Sequence, residues 1–392
     1  MMYYLSLLGF FAIFSTTISK NPVLPLFSHA IGADDAVLGL IAAFSPLAGI
    51  LFSFPVGVLS DYLGRKRLLV LSGVIFLCAP FLYLLVTEPV FLIPVRFFHG
   101  MATAILGPVI SAVIAERFPD SKGSMLGQYS SATLVGRTIA PLAGGMILGY
   151  FAGTSGLLPY HVVYILAGVA AVPVFLLLLM YREDTPGSLA VPGATVFRDD
   201  LVRFFENPRL RATAFVDMAT YFAFGAVETF LPVFLLSIGI GAFLTGVIFA
   251  VQVVVIAGTK PFFGKLADRF DKRIQILAGL LVLGVSCTAL PAMTSFYEFL
   301  GVSAVFGIGL SLSSVATSAY VADLAEKDQL GAAMGALSST MDIGQTLGPV
   351  ASGFIITLAG YTAGFFASCL FAIIVAGIFV VSVRKDPAAI SP

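Results

Sequence analysis

Six charged side chains stand inside long apolar runs of this sequence: Lys20, Arg96, Arg137, Asp217, Glu228 and Asp342. A further cation, Lys260, lies near the end of its run, where a long side chain can snorkel to the polar boundary. A charge at the centre of a lipid-buried helix costs about 2.5–3.5 kcal/mol. Six unpaired charges would cost on the order of 15–20 kcal/mol, more than the net stability of an ordinary protein. They must therefore pair, face a wet cavity or neutralise. Arg137 and Asp342 fall near mid-depth, whereas Asp217 falls nearer one face and reads as a solvated vestibule charge. His99 has the intrinsic proton affinity of a proton carrier and reads equally as a hydrogen-bonded packing residue. The chemistry within reach is the binding and release of protons or a charged solute. No nucleophile has His and acid partners at a readable spacing, and no phosphate-binding loop is present, so an enzyme is not expected. Cys78, Cys287 and Cys369 each stand alone in apolar stretches and read as packing residues, with no metal site.

These charges sit in a chain of 392 residues that is 59% hydrophobic and 11% charged, with no Trp. A soluble domain carries roughly 25% charged residues, so this chain lacks the polar surface to face water. Zero formal net charge gives no basic field for nucleic acid. Apolar runs long enough to cross about 30 Å of hydrocarbon recur throughout. The first half holds them near 5–27, 36–60, 67–87, 90–115, 124–150 and 161–181. The second holds them near 211–235, 242–263, 274–294, 298–323, 331–357 and 362–383. The first run has no basic flank or small-residue cleavage site before or after it, and reads as a span rather than a signal peptide. Basic residues fall in alternate connections: Arg65 to Arg67, Arg117 and Lys122, the segment between the halves, Lys265 to Arg273, Lys327, and Arg384 with Lys385. The intervening connections, such as SHAIGADD and FAGTSGLLPY, carry no Lys or Arg, and His29 and His161 lie near them. Positive-inside bias then places both termini and the central loop in the cytoplasm. That central loop, residues 182–210, reads as a linker in which Phe197, Leu201, Phe204 and Phe205 give a short amphipathic helix on the inner surface.

The halves repeat. At an offset of about 207 residues Pro25 and Phe27 fall on Pro232 and Phe234, and Gly57, Leu59 and Asp61 fall on Gly264, Leu266 and Asp268. Near 208, Gly136, Pro141 and Gly145 fall on Gly344, Pro349 and Gly353. An even number of spans separates the copies, so they share one orientation. The expected architecture is all-α, with a six-helix bundle over 1–181, the linker over 182–210 and a second bundle over 211–392. Like-oriented halves place a substrate site between them near mid-depth. Asn21 aligns with Glu228, and Lys20 adjoins it, so an ion pair between Lys20 and Glu228 is expected. Its breakage by a proton or solute would couple occupancy to access; a static pair that only offsets insertion cost is the alternative.

Three motifs carry a family resemblance. GVLSDYLGRKR, with Gly57, Asp61, Gly64, Arg65 and Lys66, resembles the cytoplasmic signature loop of the major facilitator superfamily, G-x-L-[AS]-D-x-x-G-R-[KR]. GKLADRFDKR repeats it with Gly264, Asp268, Lys272 and Arg273 but has Asp271 where the first copy has Gly64. The resemblance implies a latch between the halves. Gly57 would permit close helix contact, Asp61 would face a helix N-terminus of the other half, and Arg65 would reach Glu116. Asp323 is the corresponding acid in the second half. GRTIAPLAGG, with Gly136, Pro141, Gly144 and Gly145, resembles the superfamily's antiporter-associated fifth-span element, departing at Arg137. RFFHG resembles the fourth-span R-x-x-x-G element linked to proton handling, with His99 where Gln is commoner.

The resemblance implies a twelve-helix inner-membrane transporter that acts as a monomer on a small molecule and protons. It needs no cofactor beyond the proton gradient. The leading expectation is proton-coupled efflux of a small amphiphilic molecule. Uptake or exchange of a small organic anion or sugar is the alternative, since Lys20, Arg96 and Arg137 give one side a cationic lining.

Overall fold

A computed structural model describes residues 2–182, 202, 204–325 and 330–384. Residues 197–201 and 203 of the expected amphipathic segment lie outside that range. Among the described residues the regular structure is entirely helical. The first stretch holds α1 (Met2–Ile18), α2 (Val23–Ala30), α3 (Asp35–Leu63), α4 (Arg65–Leu82), α5 (Leu92–Arg117), α6 (Lys122–Tyr150) and α7 (Leu158–Met180). The second holds α8 (Pro208–Ser237), α9 (Ala242–Arg269), α10 (Lys272–Ala289), α11 (Phe296–Leu324) and α12 (Leu330–Arg384).

Among the described residues eleven segments are long and apolar enough to cross a membrane, so this is a multi-pass membrane protein. The last, Ala333–Val383, is long enough for two crossings. It breaks at Gly360, whose φ of 80° only glycine adopts readily. A Cβ on Gly364 would meet Ile356 and Ser352, so the chain reverses there. Other ends are set by capping. The Asp34 carboxylate accepts from the Val37 amide at 2.8 Å to start α3, and Ser295 with Glu298 forms a capping box at the start of α11. Large apolar side chains such as Leu51, Met146, Val169 and Leu358 are exposed, as lipid-facing helix surfaces require.

The chain groups into two compact units. One is Met1–Val191 with Glu228–Val253, and the other is Pro192–Val227 with Val254–Pro392. The later turns of α8 and the earlier turns of α9 thus pack with the first unit although they belong to the second sequence half. In the first unit α1 packs on α6 and α7, α3 on α5, and α4 on α5 and α7. In the second, α10 packs on α11 and α12. The repeat is visible in these contacts. A Cβ on Gly136 would lie 2.6 Å from the Phe10 carbonyl oxygen, and one on Gly344 would strike that of Met218. Both members shift by about 208 residues, so the α1–α6 crossing recurs as α8–α12.

Candidate functional site

The first span does not run unbroken. Pro22 carries no backbone donor, and the amides of Lys20 and Asn21 both return to the Thr17 carbonyl, at 3.0 and 2.9 Å, closing α1. Helix α2 restarts beyond Pro22. Irregular backbone at membrane depth is tolerated where it is enclosed by protein or lines a polar cavity. Lys20 and Asn21 project from this break onto Glu228 of α8.

Lys20 Nζ lies 2.5 Å from Glu228 Oε2, and Asn21 Nδ2 donates to Oε1 at 2.6 Å. The Lys20 side chain is 27% exposed and that of Glu228 14%. Each carboxylate oxygen thus has its own donor. Arg96 and Arg137 both act on Lys20 as repelling cations. Among the described residues, Lys20, Arg96 and Arg137 stand as three cations beside the Glu228 carboxylate. Such a site ties Glu228 to two donors while closed, and offers a cationic surface once Glu228 is drawn away.

Arg96 and His99 are buried one turn apart on α5. They meet through Tyr83, whose hydroxyl lies 3.2 Å from His99 Nδ1 and also receives a hydrogen bond from Arg96. Tyr164 stacks on Tyr83 at 4.2 Å. Arg96 Nε, His99 Nε2 and the Tyr164 hydroxyl have no partner among the described residues. His99 therefore belongs to a buried aromatic network in this conformation. Arg137, on α6, is exposed, and Asp342, on α12 of the second unit, is half-buried.

The glycines of α6 are close-packing positions. A Cβ on Gly144 would come 3.0 Å from Val23 Cγ2, and one on Gly145 would come 2.6 Å from the Ala242 carbonyl oxygen of α9. Gly246 of α9 lies against the carbonyl of Pro141, which sits within a continuous α6.

Each basic loop forms an ion pair within its own unit. Arg65, at the start of α4, pairs with Glu116 near the end of α5. Lys272 pairs with Asp323 at 2.7 Å. Gly64 joins α3 to α4 with φ 82° and ψ 139°, a backbone open essentially to glycine. Asp271 joins α9 to α10 at φ −59° and instead caps α10, accepting from the Arg273 amide at 2.9 Å. Hydrogen bonds from the Arg273 side chain hold the Asp271 carboxyl below its usual range. Gly57 does not make the close contact expected of it: its nearest neighbour would be Pro108 Cβ at 3.8 Å, an ordinary separation, and Gly264 meets nothing within 4 Å. The Asp61 side chain lies outside the described residues; Lys66 is half-buried and Asp268 exposed.

Asp217 departs from the solvated vestibule position. It is 3% exposed within the second unit and bonded to Thr317 of α11 at 3.2 Å, because α8 turns it toward α11 rather than outward. Sequence reasoning also missed Tyr83, Tyr164, Thr317 and the break after Ile18. The tyrosines and Thr317 left a weak signal, being polar groups in apolar runs that need partners when buried. Among the described residues no group of His, Cys, Asp and Glu could hold a metal ion.

The family model described as Major Facilitator Superfamily matches residues 5–258 and 213–392. An uncharacterised MFS-type transporter of Methanocaldococcus jannaschii is 24% identical over 357 residues, 90% of this chain and 91% of its own length. The quinolone resistance protein NorA of Staphylococcus aureus is 23% identical over 344 residues, covering 85% of this chain and 84% of NorA. Among solved structures, the nucleoside transporter NupG superposes with a TM-score of 0.80 at 14% identity, covering 98% of this chain and 99% of its own. A bacterial homologue of the lysosomal transporter Spinster, inward-facing and occupied, gives 0.79 at 15% identity, over 98% and 96%.

Proposed function

We propose that this chain, which belongs to the major facilitator superfamily and is a transporter rather than an enzyme, exports a small amphiphilic solute in exchange for protons. The observation that carries this reading is the Lys20–Glu228 pair, set at a break in the first span and bonded at 2.5 Å. Broken helices near mid-membrane are where transporters of this general build bind solutes and coupling ions. Removing one partner of a fully buried pair costs about 3–5 kcal/mol because it strands the other charge, and this half-buried pair approaches that range from below. A proton delivered to Glu228 discharges the carboxylate and removes that penalty, so protonation opens the pair at lower cost than separation of two ions. The released Lys20 then faces the solute site. The close-packed glycines of α6 and the similarity to a quinolone resistance protein support export.

The sequence repeats, 1–181 and 211–392, serve in this proposal as the moving halves, with 182–210 as the connector. Arg65–Glu116 and Lys272–Asp323 fasten the inner ends of each. Both termini lie in the cytoplasm, the chain works as a monomer in the inner membrane, and the proton gradient is its only driving force. One observation favours a second reading. Three cations around a single carboxylate suit a small organic anion, taken up or exchanged.

Purified protein in proteoliposomes with an imposed pH gradient, given cationic, neutral and anionic solutes, separates the two. Export predicts that a cationic or neutral amphiphile moves against the proton flow. Movement of an anion with the protons replaces that reading with the second.

A further inference from the structure

Asp217 is a buried carboxyl that the Lys20–Glu228 pair does not use. It lies on α8 about three helical turns before Glu228 and belongs to the other compact unit. Lys260 of α9 is the charged side chain that acts on it. On α8 itself, the Thr213 hydroxyl is committed to the Arg209 carbonyl at 2.8 Å. Thr220 is committed to that of Val216 at 2.9 Å and faces Ser313 Oγ. From α11, the fully buried Thr317 reaches it.

The Thr317 hydroxyl has two partners and one hydrogen. Its oxygen lies 3.2 Å from Asp217 Oδ1 and 3.0 Å from the Ser314 carbonyl. A hydroxyl donates once and accepts through its lone pairs. When Asp217 is ionised, Thr317 donates to the carboxylate. When a proton binds Oδ1, the new O–H donates to Thr317 Oγ1, and the Thr317 hydrogen turns to the Ser314 carbonyl. Each state keeps every donor paired, so neither carries the penalty of a buried, unsatisfied polar group. At offsets of 207 to 208 the first repeat has Phe10 or Gly9 opposite Asp217 and Ile110 or Val109 opposite Thr317, so packing of the duplicated frame does not demand this arrangement.

We propose that Asp217 and Thr317 form a proton-binding site in the second unit, separate from Glu228. The site stands on its own geometry; its use in driving transport rests on the function proposed above. A chain with both sites carries a second proton-accepting station along α8.

The test is infrared difference spectroscopy of the full-length protein in lipid, with pH stepped and no solute added. Wild type is expected to show a protonated-carboxyl band that disappears in Asp217→Asn and persists in Glu228→Gln. Thr317→Val removes the acceptor of the new O–H, moving this band to higher frequency, and Thr317→Ser restores it. If Asp217→Asn fails to fold, the Thr317 pair decides alone. The proposal is overturned if Asp217→Asn leaves every titrating carboxyl band in place, or if Thr317→Val leaves the band where it was. Loss of gradient-driven transport in Glu228→Gln with the Asp217 band intact would bear on Glu228 alone, and so keeps the two readings apart.

Discussion

The two copies of the repeat agree at the basic-loop ends and disagree inside. Arg65 with Glu116 and Lys272 with Asp323 are the same contact made twice, each partner shifted by about 207 residues. The interiors share no such pairing. The first unit buries Arg96 and His99 with Tyr83, where the second sequence half has Ser303, Phe306 and Leu290. The second unit buries Asp217 with Thr317, where the first half has Phe10 or Gly9 and Ile110 or Val109. At the break in the first span, Asn21 bonds to Glu228, its own repeat equivalent. Duplicated features are those any six-helix bundle needs to hold its ends. Unduplicated ones carry desolvation costs that packing alone does not justify, and chemistry is expected there.

The comparison breaks most readily at the largest energy. Lys20→Met leaves the Glu228 carboxylate with Asn21 alone and is expected to cost up to about 3–5 kcal/mol, the range for a fully buried pair, in thermal unfolding in detergent. Lys20→Met with Glu228→Gln should recover most of that, and a single-variant loss under 1 kcal/mol would mean the pair opens freely. Next comes close packing. Gly145→Leu drives side-chain atoms into the Ala242 carbonyl, where a Cβ alone would stand at 2.6 Å. Overpacking of this kind costs about 1–3 kcal/mol, whereas the same change at the open Gly264 should be near neutral by the same melt.

The loops sharpen the contrast further. Gly64→Asp, which copies the second loop into the first, forces aspartate to φ 82° and is expected to cost about 1–3 kcal/mol. Asp271→Gly loses a helix cap, roughly a few tenths of a kcal/mol, and an exposed pair with Arg273, about 0–1 kcal/mol. Equal costs would show that the loops are built alike after all. The smallest effect is Arg65→Ala or Lys272→Ala. Glu116 and Asp323 are more than half exposed, so each change should cost about 0–1 kcal/mol. Asp271 titrates in the same range of effect. Its carboxyl is held low in the folded chain, so its contribution is present above the ordinary carboxylate value and fades as pH falls through the folded one. Acid unfolding of Asp271→Asn should lack that component.

Much of this was legible from residues alone. Lys20 beside the repeat partner of Glu228 announced their pairing, and Arg65 with Glu116 followed from where their helices end. What stayed hidden depends on rotation about a helix axis. Asp217 reads as a vestibule charge from its depth, but a turn of α8 decides whether it meets water or Thr317. The break at Ser19–Pro22 was hidden because apolar residues continue on both sides of it. Gly57 shows the reverse: a motif glycine whose expected close partner is not beside it in this conformation.

The most direct measurement compares two modes of transport by Glu228→Gln, using a solute that wild type carries in proteoliposomes. Solute exchange without a gradient should persist, because the neutral amide still permits the change of access, while accumulation driven by a pH gradient should fall at least tenfold. Gradient-driven accumulation at the wild-type level would contradict the role of Glu228 as the proton-controlled contact.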